Sequence, residues 1–317
     1  MSRFSQVAIV GGTHGNEFSG IYALKQWQTN TSVTTRDSFS TEHVFANPSA
    51  YHANKRYLDC DLNRQFDPQG LADLTLTNYE QSRAKVLNQQ LGPKGDPRVD
   101  FIIDLHNTTS NMGPTLILLA LDTFNKQLAA YISERMPDAI ILVEDHLEPL
   151  QHAFLCSVAK QGVIVEVGPQ PQSVLRHDVM ESMQEMTTHI LDFVHLFNID
   201  KVPELPAQVT AYRYKETLHL PQNAQGERIG MVHQNVQDKD FEPIVPGDPL
   251  FMCFDGREVA WEGKYTAYPH FISVFRHVVC GVQTPQGSKR HKIPLFNRFF
   301  APRHRFMAFP STDKITI

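Results

Sequence analysis

The chain has 317 residues, 41% of them hydrophobic, and a formal net charge of −5 with histidine taken as neutral. This is ample apolar material for one large domain or two unequal ones, and the mild acidity argues against a general binder of nucleic acid or of anionic membrane surfaces. Cys60, Cys156, Cys253 and Cys280 are scattered without a CxxC pair, so neither a disulfide framework nor a cysteine metal knuckle is expected.

The N-terminus, MSRFSQVAIV, runs straight into an apolar stretch without the pattern of a signal peptide. No segment approaches the roughly 18–20 apolar residues of a membrane span. A soluble, reduced, cytoplasmic protein is expected. Residues 7–10 predict a short buried strand and residues 18–28 a helix. EHVFAN at 42–47 predicts a strand stopped by Pro48, and 77–90 has helical composition. Strands are predicted at 99–105, 115–119, 139–144 and 162–167, with helices at 124–134 and 176–197. Buried strands alternating with helices predict an α/β sheet covered on both faces.

The stretch IDKVPELPAQ at 199–208 carries two prolines and no apolar period, which suggests a linker between a domain at 1–200 and one at 201–317. Beyond it, ERIGMVHQ, EPIVPGDPLFMCFDG and EVAWEGKYTAYPHFISV read as short strands broken by glycine and proline, a smaller and mostly β domain. From Ser288 the tail turns basic and aromatic. It reads either as a patch for a small anion or nucleic acid or as a solvated edge, and the second is favoured because charge runs usually face water.

GGTHGNE at 11–17 follows the first strand and places His14 three residues before Glu17. Catalytic zinc commonly takes three protein ligands from His and Glu and keeps a fourth position open. His14 and Glu17 supply two candidates from one turn. The third should come from another strand end, because open α/β sheets bind ligands beyond the carboxyl ends of their strands. His106 in DLHNTTSNMG offers it, with an ordinary buried histidine as the competing reading. Glu166 sits in the apolar run VIVEVGPQ, where a lone carboxylate is costly. It is either half of a structural ion pair or a general base near a metal. Arg56, Asn63 and Arg64 lie in KRYLDCDLNRQF with Asp59 and Asp61. They suit an anionic substrate, or form a surface ion-pair cluster.

GGTHGNE, the NP at 47–48, RYLDCDLNRQFD, DLHNTTSNMG and VEVGPQPQ, in that order, together resemble the aspartoacylase and aminoacylase-3 branch of the zinc-dependent aspartoacylase and succinylglutamate desuccinylase family. The likeness runs from about residue 7 to 175 and continues weakly through YPHFI at 268–272. It implies a zinc-carboxypeptidase-like mixed sheet flanked by helices, followed by a smaller C-terminal β domain. It also implies one zinc ion on His14, Glu17 and His106, with Glu166 as general base and later proton donor. Arg56 would polarise the scissile amide carbonyl, and Asn63 and Arg64 would hold the α-carboxylate. The substrate would be a small N-acyl-L-amino acid, in the family reaction N-acetyl-L-aspartate. A homodimer is a further expectation, with no nucleic-acid or membrane partner.

The chain departs from the aspartoacylase pattern where that enzyme's side-chain pocket would lie. Cys156 stands where an arginine would pair with the substrate's second carboxylate, His152 replaces a tyrosine four positions earlier, and His277 aligns with another substrate-contacting tyrosine. A protonated His152 or His277 would restore some of the lost charge. Without it, a neutral or aromatic N-acyl amino acid, as in aminoacylase-3, becomes the alternative substrate. A carboxypeptidase and a non-catalytic carboxylate or metal sensor are the other classes weighed.

Overall fold

The computed structural model describes residues 3–273, 277–281 and 312–316, the last two segments as backbone. The chain divides into two units, Met1–Val209 with Ile315–Ile317, and Thr210–Lys314.

The first unit is built on six strands: β1 (Gln6–Gly11), β2 (Ser40–Phe45), β3 (Phe101–Asn107), β4 (Gly113–Leu118), β5 (Ile140–Val143) and β6 (Gln161–Gly168). They lie in the order β5-β4-β6-β3-β1-β2. Strands β2, β1, β3 and β6 are parallel neighbours, β4 runs antiparallel to β6, and β5 is parallel to β4. Residues 108–112 are too few to carry a crossover helix, so the chain turns back after β3 and the sheet becomes mixed at β4.

Among the described residues, six helices accompany the sheet: α1 (Phe18–Thr29), α2 (Pro48–His52), α3 (Pro68–Ala72), α4 (Tyr79–Leu91), α5 (Thr123–Arg135) and α6 (His177–Asn198). The longer helices and all six strands fall within about two residues of their predicted positions. Strand β2 ends at Phe45, two residues short of the stop expected before Pro48, and Pro48 instead starts α2, a helix not expected from the sequence. Asn47 caps that helix through Ala50 N–H, and the fixed φ of proline suits its first turn. Helix α6 buries Met183, Met186, Ile190 and Val194 along one stripe at three- and four-residue spacing.

The alternation of side chains along β3 separates structure from chemistry. Phe101, Ile103 and Leu105 share one face. Helix α1 rests directly on Leu105, and Phe101 joins an aromatic cluster with Phe4, Phe124, Phe193 and Phe197. The other face carries Ile102, Asp104 and His106, and there the segments 61–66 and 152–158 close over the strand.

In the second unit, β7 (Gln208–Leu218), β11 (Tyr268–His270) and β12 (His277–Gly281) form an antiparallel ladder with β12 in the middle. Strands β8 (Gly230–Val232), β9 (Pro249–Cys253) and β10 (Glu258–Ala260) form another, with β9 central. Val236, Ile244, Leu250, Phe251, Trp261, Ala267 and Ile272 make the core. Strand β7, which opens at the end of the expected linker, was not picked out from the sequence. Most of the basic aromatic tail from Ser288 lies outside the described residues. Among the described residues, no helix is long and apolar enough to cross a membrane.

Phe124 sits at the centre of the aromatic cluster, with ring centroids 4.7 Å from Phe4 and 5.0 Å from Phe197. Phe124→Ala should cost about 3–5 kcal/mol, read as a lower urea midpoint at unchanged slope.

Candidate metal centre

Strands β1, β3 and β6 are adjacent and parallel, so their carboxyl ends open onto one place. The chain leaves β1 through a turn that requires two of its glycines. Gly12 has φ +72°, and a Cβ there would meet the Phe45 ring at 2.6 Å. A Cβ on Gly15 would fall 2.2 Å from the backbone of Ala50. The turn docks on the next segment through Gly15 N–H, which donates to Arg56 O at 3.0 Å, and closes with Glu17 N–H donating to His14 O at 3.2 Å.

This geometry brings three buried side chains together. His14, Glu17 and His106 are only 3%, 3% and 2% exposed. One ligand atom from each lies within 4.8 Å of the others. Glu17 Oε1 is 2.7 Å from His14 Nδ1, and Glu17 Oε2 is 2.9 Å from His106 Nδ1. The two Nδ1 atoms are 3.2 Å apart.

The far nitrogen of each ring meets its own carboxylate. His14 Nε2 is hydrogen-bonded to Asp61 Oδ1 at 3.0 Å. His106 Nε2 lies 3.0 Å from Asp104 Oδ2 in ion-pair rather than hydrogen-bond geometry. Thr13 Oγ1 holds the other oxygen of Asp104 at 2.7 Å. A carboxylate behind an imidazole fixes the tautomer that leaves the opposite nitrogen free to bind a metal.

The charges fit the same purpose. Arg56 spans two of the carboxylates, its Nη1 donating to Glu17 Oε1 at 2.8 Å and its Nη2 to Asp61 Oδ2 at 3.4 Å, while Asp104 adds a third behind His106. With neutral imidazoles this leaves a negative excess that a divalent cation would balance. Two imidazole nitrogens and a carboxylate are a donor set suited to zinc. Burial opposes the charged form of Glu17, yet His14 and then His106 hold its carboxyl far below the usual range. Burial likewise opposes charge on His106, but Asp104 and Glu17 push it well above the ordinary histidine value. For Asp61, His14 and the arginines outweigh burial and hold the carboxyl well below the usual range.

The segment after α2 is anchored by a residue the sequence reading passed over. Glu80, fully buried on α4, accepts Leu58, Asp59 and Cys60 N–H at 2.8, 2.9 and 3.2 Å, and Asn47 Nδ2 at 3.2 Å. That grip fixes the run from Arg56 to the short 3-10 turn Leu62–Arg64, which Asp61 caps by accepting Asn63 N–H. Asn63 is buried. Its side-chain Oδ1 accepts Leu155 N–H at 2.8 Å, and its Nδ2 lies 3.4 Å from His106 Nε2. Arg64 is exposed, donates to Asn63 O at 2.7 Å, and lies 4.9 Å over the Phe154 ring.

Glu166 pairs in register with His106 across β3 and β6 and is 8% exposed. Burial, then the Glu17 charge, push its carboxyl up to about 8, against the pull of His106 and Arg56. Cys156 is fully buried, and burial raises its thiol well above the usual value. His152 is 1% exposed, stacks on Phe154, and leaves its Nε2 without a partner. Burial, then His146, push it down to about 4, so it carries no charge near neutral pH. Glu144, at the end of β5, is buried and pushed up to about 7 by that burial, with Arg64 acting the other way. The His277 backbone opens β12 opposite Leu218, and its side chain lies outside the described residues.

Residues 3–194 match the family described as succinylglutamate desuccinylase/aspartoacylase catalytic domain, and residues 207–274 match the AstE/AspA barrel-sandwich hybrid domain. The chain belongs to the succinylglutamate desuccinylase/aspartoacylase family. This member is 45% identical over 274 residues to an aspartoacylase of Danio rerio, covering 84% of this chain and 86% of that one. It is 42% identical over 275 residues to a Mus musculus N-acyl-aromatic-L-amino acid amidohydrolase (carboxylate-forming), covering 84% and 85%. Its fold matches the crystal structure of murine aminoacylase 3 with a TM-score of 0.80 and 39% identity, over 88% of this chain and 96% of that one.

The sequence placed His14, Glu17 and His106 beyond the strand ends, and the family resemblance gave Arg56, Asn63, Arg64 and Glu166 their expected roles. The sequence reading left Asp104, Glu80 and Glu144 unnamed and took Asp61 for part of a surface cluster. Asp104 had a signal, because residues two apart on a strand share a face. Glu80→Gln would set an amide donor among the four N–H donors that Glu80 now accepts. It should cost about 1–3 kcal/mol, read as a lower Tm by differential scanning calorimetry.

Proposed function

We propose that this chain is a zinc-dependent amidohydrolase that cleaves N-acyl-L-amino acids to the amino acid and a carboxylate, and that it prefers neutral or aromatic side chains to aspartate. The observation that carries the metal reading is the buried His14–Glu17–His106 cluster with a carboxylate behind each imidazole. When bound there, zinc supplies Lewis acidity, letting water attack near neutral pH and drawing charge from the amide carbonyl. With the cation's charge offsetting the burial that raises its carboxyl, Glu166 as carboxylate would take the proton from the attacking water and deliver it to the leaving amine. Arg56, beside Glu17, turns an N–H toward the carbonyl oxygen as negative charge develops on it. Arg64 pairs with the free α-carboxylate, next to the buried amide of Asn63.

The side-chain preference rests on the 144–156 region. Cys156 stands where an arginine is expected, His152 is held neutral by burial, and Glu144 adds an acid instead of a base. An acidic substrate side chain would lose its water there without gaining a cation. His152 and Cys156 then act as pocket wall. The catalytic domain spans 1–200 and the β-rich domain 201–317. The chain works in the cytoplasm, in keeping with free thiols at Cys60, Cys156 and Cys253, and pairs as a homodimer.

The deciding comparison is kcat/KM of the zinc-loaded protein on N-acetyl-L-aspartate, N-acetyl-L-phenylalanine, N-acetyl-L-tyrosine and N-acetyl-L-methionine. The neutral substrates should lead, and a clear aspartate preference would sink the pocket reading. Chelation should abolish turnover and zinc should restore it. Glu166→Gln should lower kcat by about 10²–10⁴-fold, the usual worth of a positioned acid–base group. Full activity in that variant would remove Glu166 from the role.

A further inference from the structure

Lys94 is a partly buried cation that the proposed chemistry does not use. It follows α4, and its backbone N–H is held by Asn88 Oδ1 at 2.9 Å. All three ammonium donors are taken. Nζ donates to Phe66 O at 2.8 Å, to His152 O at 2.5 Å and to Ser157 Oγ at 2.7 Å. Ser157 Oγ donates in turn within the same turn, lying 3.0 Å from His152 O and 2.5 Å from Phe154 O.

These acceptors belong to two separate stretches of chain. Phe66 ends the segment that carries Asn63 and Arg64. His152 and Ser157 bracket the turn that carries Phe154 and Cys156. Two more bonds join the same stretches: Phe66 N–H to Ala153 O at 3.2 Å, and Leu155 N–H to Asn63 Oδ1 at 2.8 Å. Lys94 therefore ties the arm that would grip the α-carboxylate to the wall that would face the substrate side chain. Because every donor is spent inside the protein, Lys94 is not a substitute for the missing arginine.

We propose that Lys94 is a positioning residue that sets the distance between Arg64 and the 152–156 wall, and so decides which amino-acid side chains are accepted. This rests on the function proposed above. Burial pushes the ammonium down to about 8, which is in keeping with a group held by carbonyls and a hydroxyl instead of by a carboxylate. Removing it takes the ammonium donor from Phe66 O and leaves His152 O to Ser157 Oγ alone, and the turn must shift or take in water. A fitted pocket discriminates by about 10–200-fold per methylene, and that sharpness is what a displaced wall loses.

Wild type, Lys94→Met and Lys94→Arg, all zinc-loaded, are compared on the four N-acetyl amino acids. Lys94→Met should raise KM for the best substrate about tenfold with kcat within about threefold, because ground-state fit is lost while the reacting groups stay in place. The ranking among substrates should flatten, and Lys94→Arg should recover part of it. A folded Lys94→Met protein with wild-type KM and ranking would overturn the proposal while leaving the function standing. If Lys94→Met fails to fold, Ser157→Ala, which removes one partner of the ammonium, should shift KM and ranking in the same direction, and unchanged values would overturn the proposal. A wild-type protein that hydrolyses no N-acyl amino acid would overturn the function and this proposal with it.

Discussion

A carboxylate buried to 3% exposure is costly unless its surroundings compensate it, and Glu17 is such a group. His14, His106, Arg56 and the Asn107 N–H all reach it. The compensators need compensation themselves. The imidazoles lean on Asp61 and Asp104, Arg56 bridges Glu17 to Asp61, and Asp61 caps the turn that presents Asn63 and Arg64. Groups on β1, β3 and the 56–64 segment are thereby bound into one electrostatic unit. A change at any member is felt by the others, which is why single-residue energies at this site should not be expected to add.

Most of the α/β unit was readable from sequence because its elements announce themselves locally. VAIV and VIVEV are strands buried on both faces, and α6 carries an unbroken apolar stripe. The candidate metal cluster His14–Glu17–His106 was readable because its members sit in short motifs at strand ends. Residues that act through distant partners were not. Lys94 lies 28, 58 and 63 positions from its three acceptors, and Glu80 lies 20 to 22 from its backbone partners. No periodicity links such pairs, since they meet only after the sheet has formed. Strand β7 was hidden for another reason: its alternation fades after Ala211 into partly exposed positions.

Burial also bears on a question that residue type left open. On sequence alone, His152 could be counted as a cation able to replace a missing arginine. In the fold it lies against Phe154 and His146 with Lys94 nearby, so the uncharged ring is favoured three ways. The same region therefore changes from a candidate anion site to a largely neutral wall. That change comes from packing rather than from the presence or absence of any one side chain.

The grip of Glu80 on three consecutive amides has a consequence for the surface above it. Tyr57 and Leu58 are more than a third exposed, at 38% and 37%, and the run has no helix or strand of its own. Its side chains look like those of a free loop, while its backbone is fastened from beneath. Leu58, Asp59 and Cys60 should then exchange their amide hydrogens slowly, like residues inside a helix. A segment of this kind can vary its outward-facing side chains without altering the path that delivers Arg56 and Asp61 to Glu17 and His14.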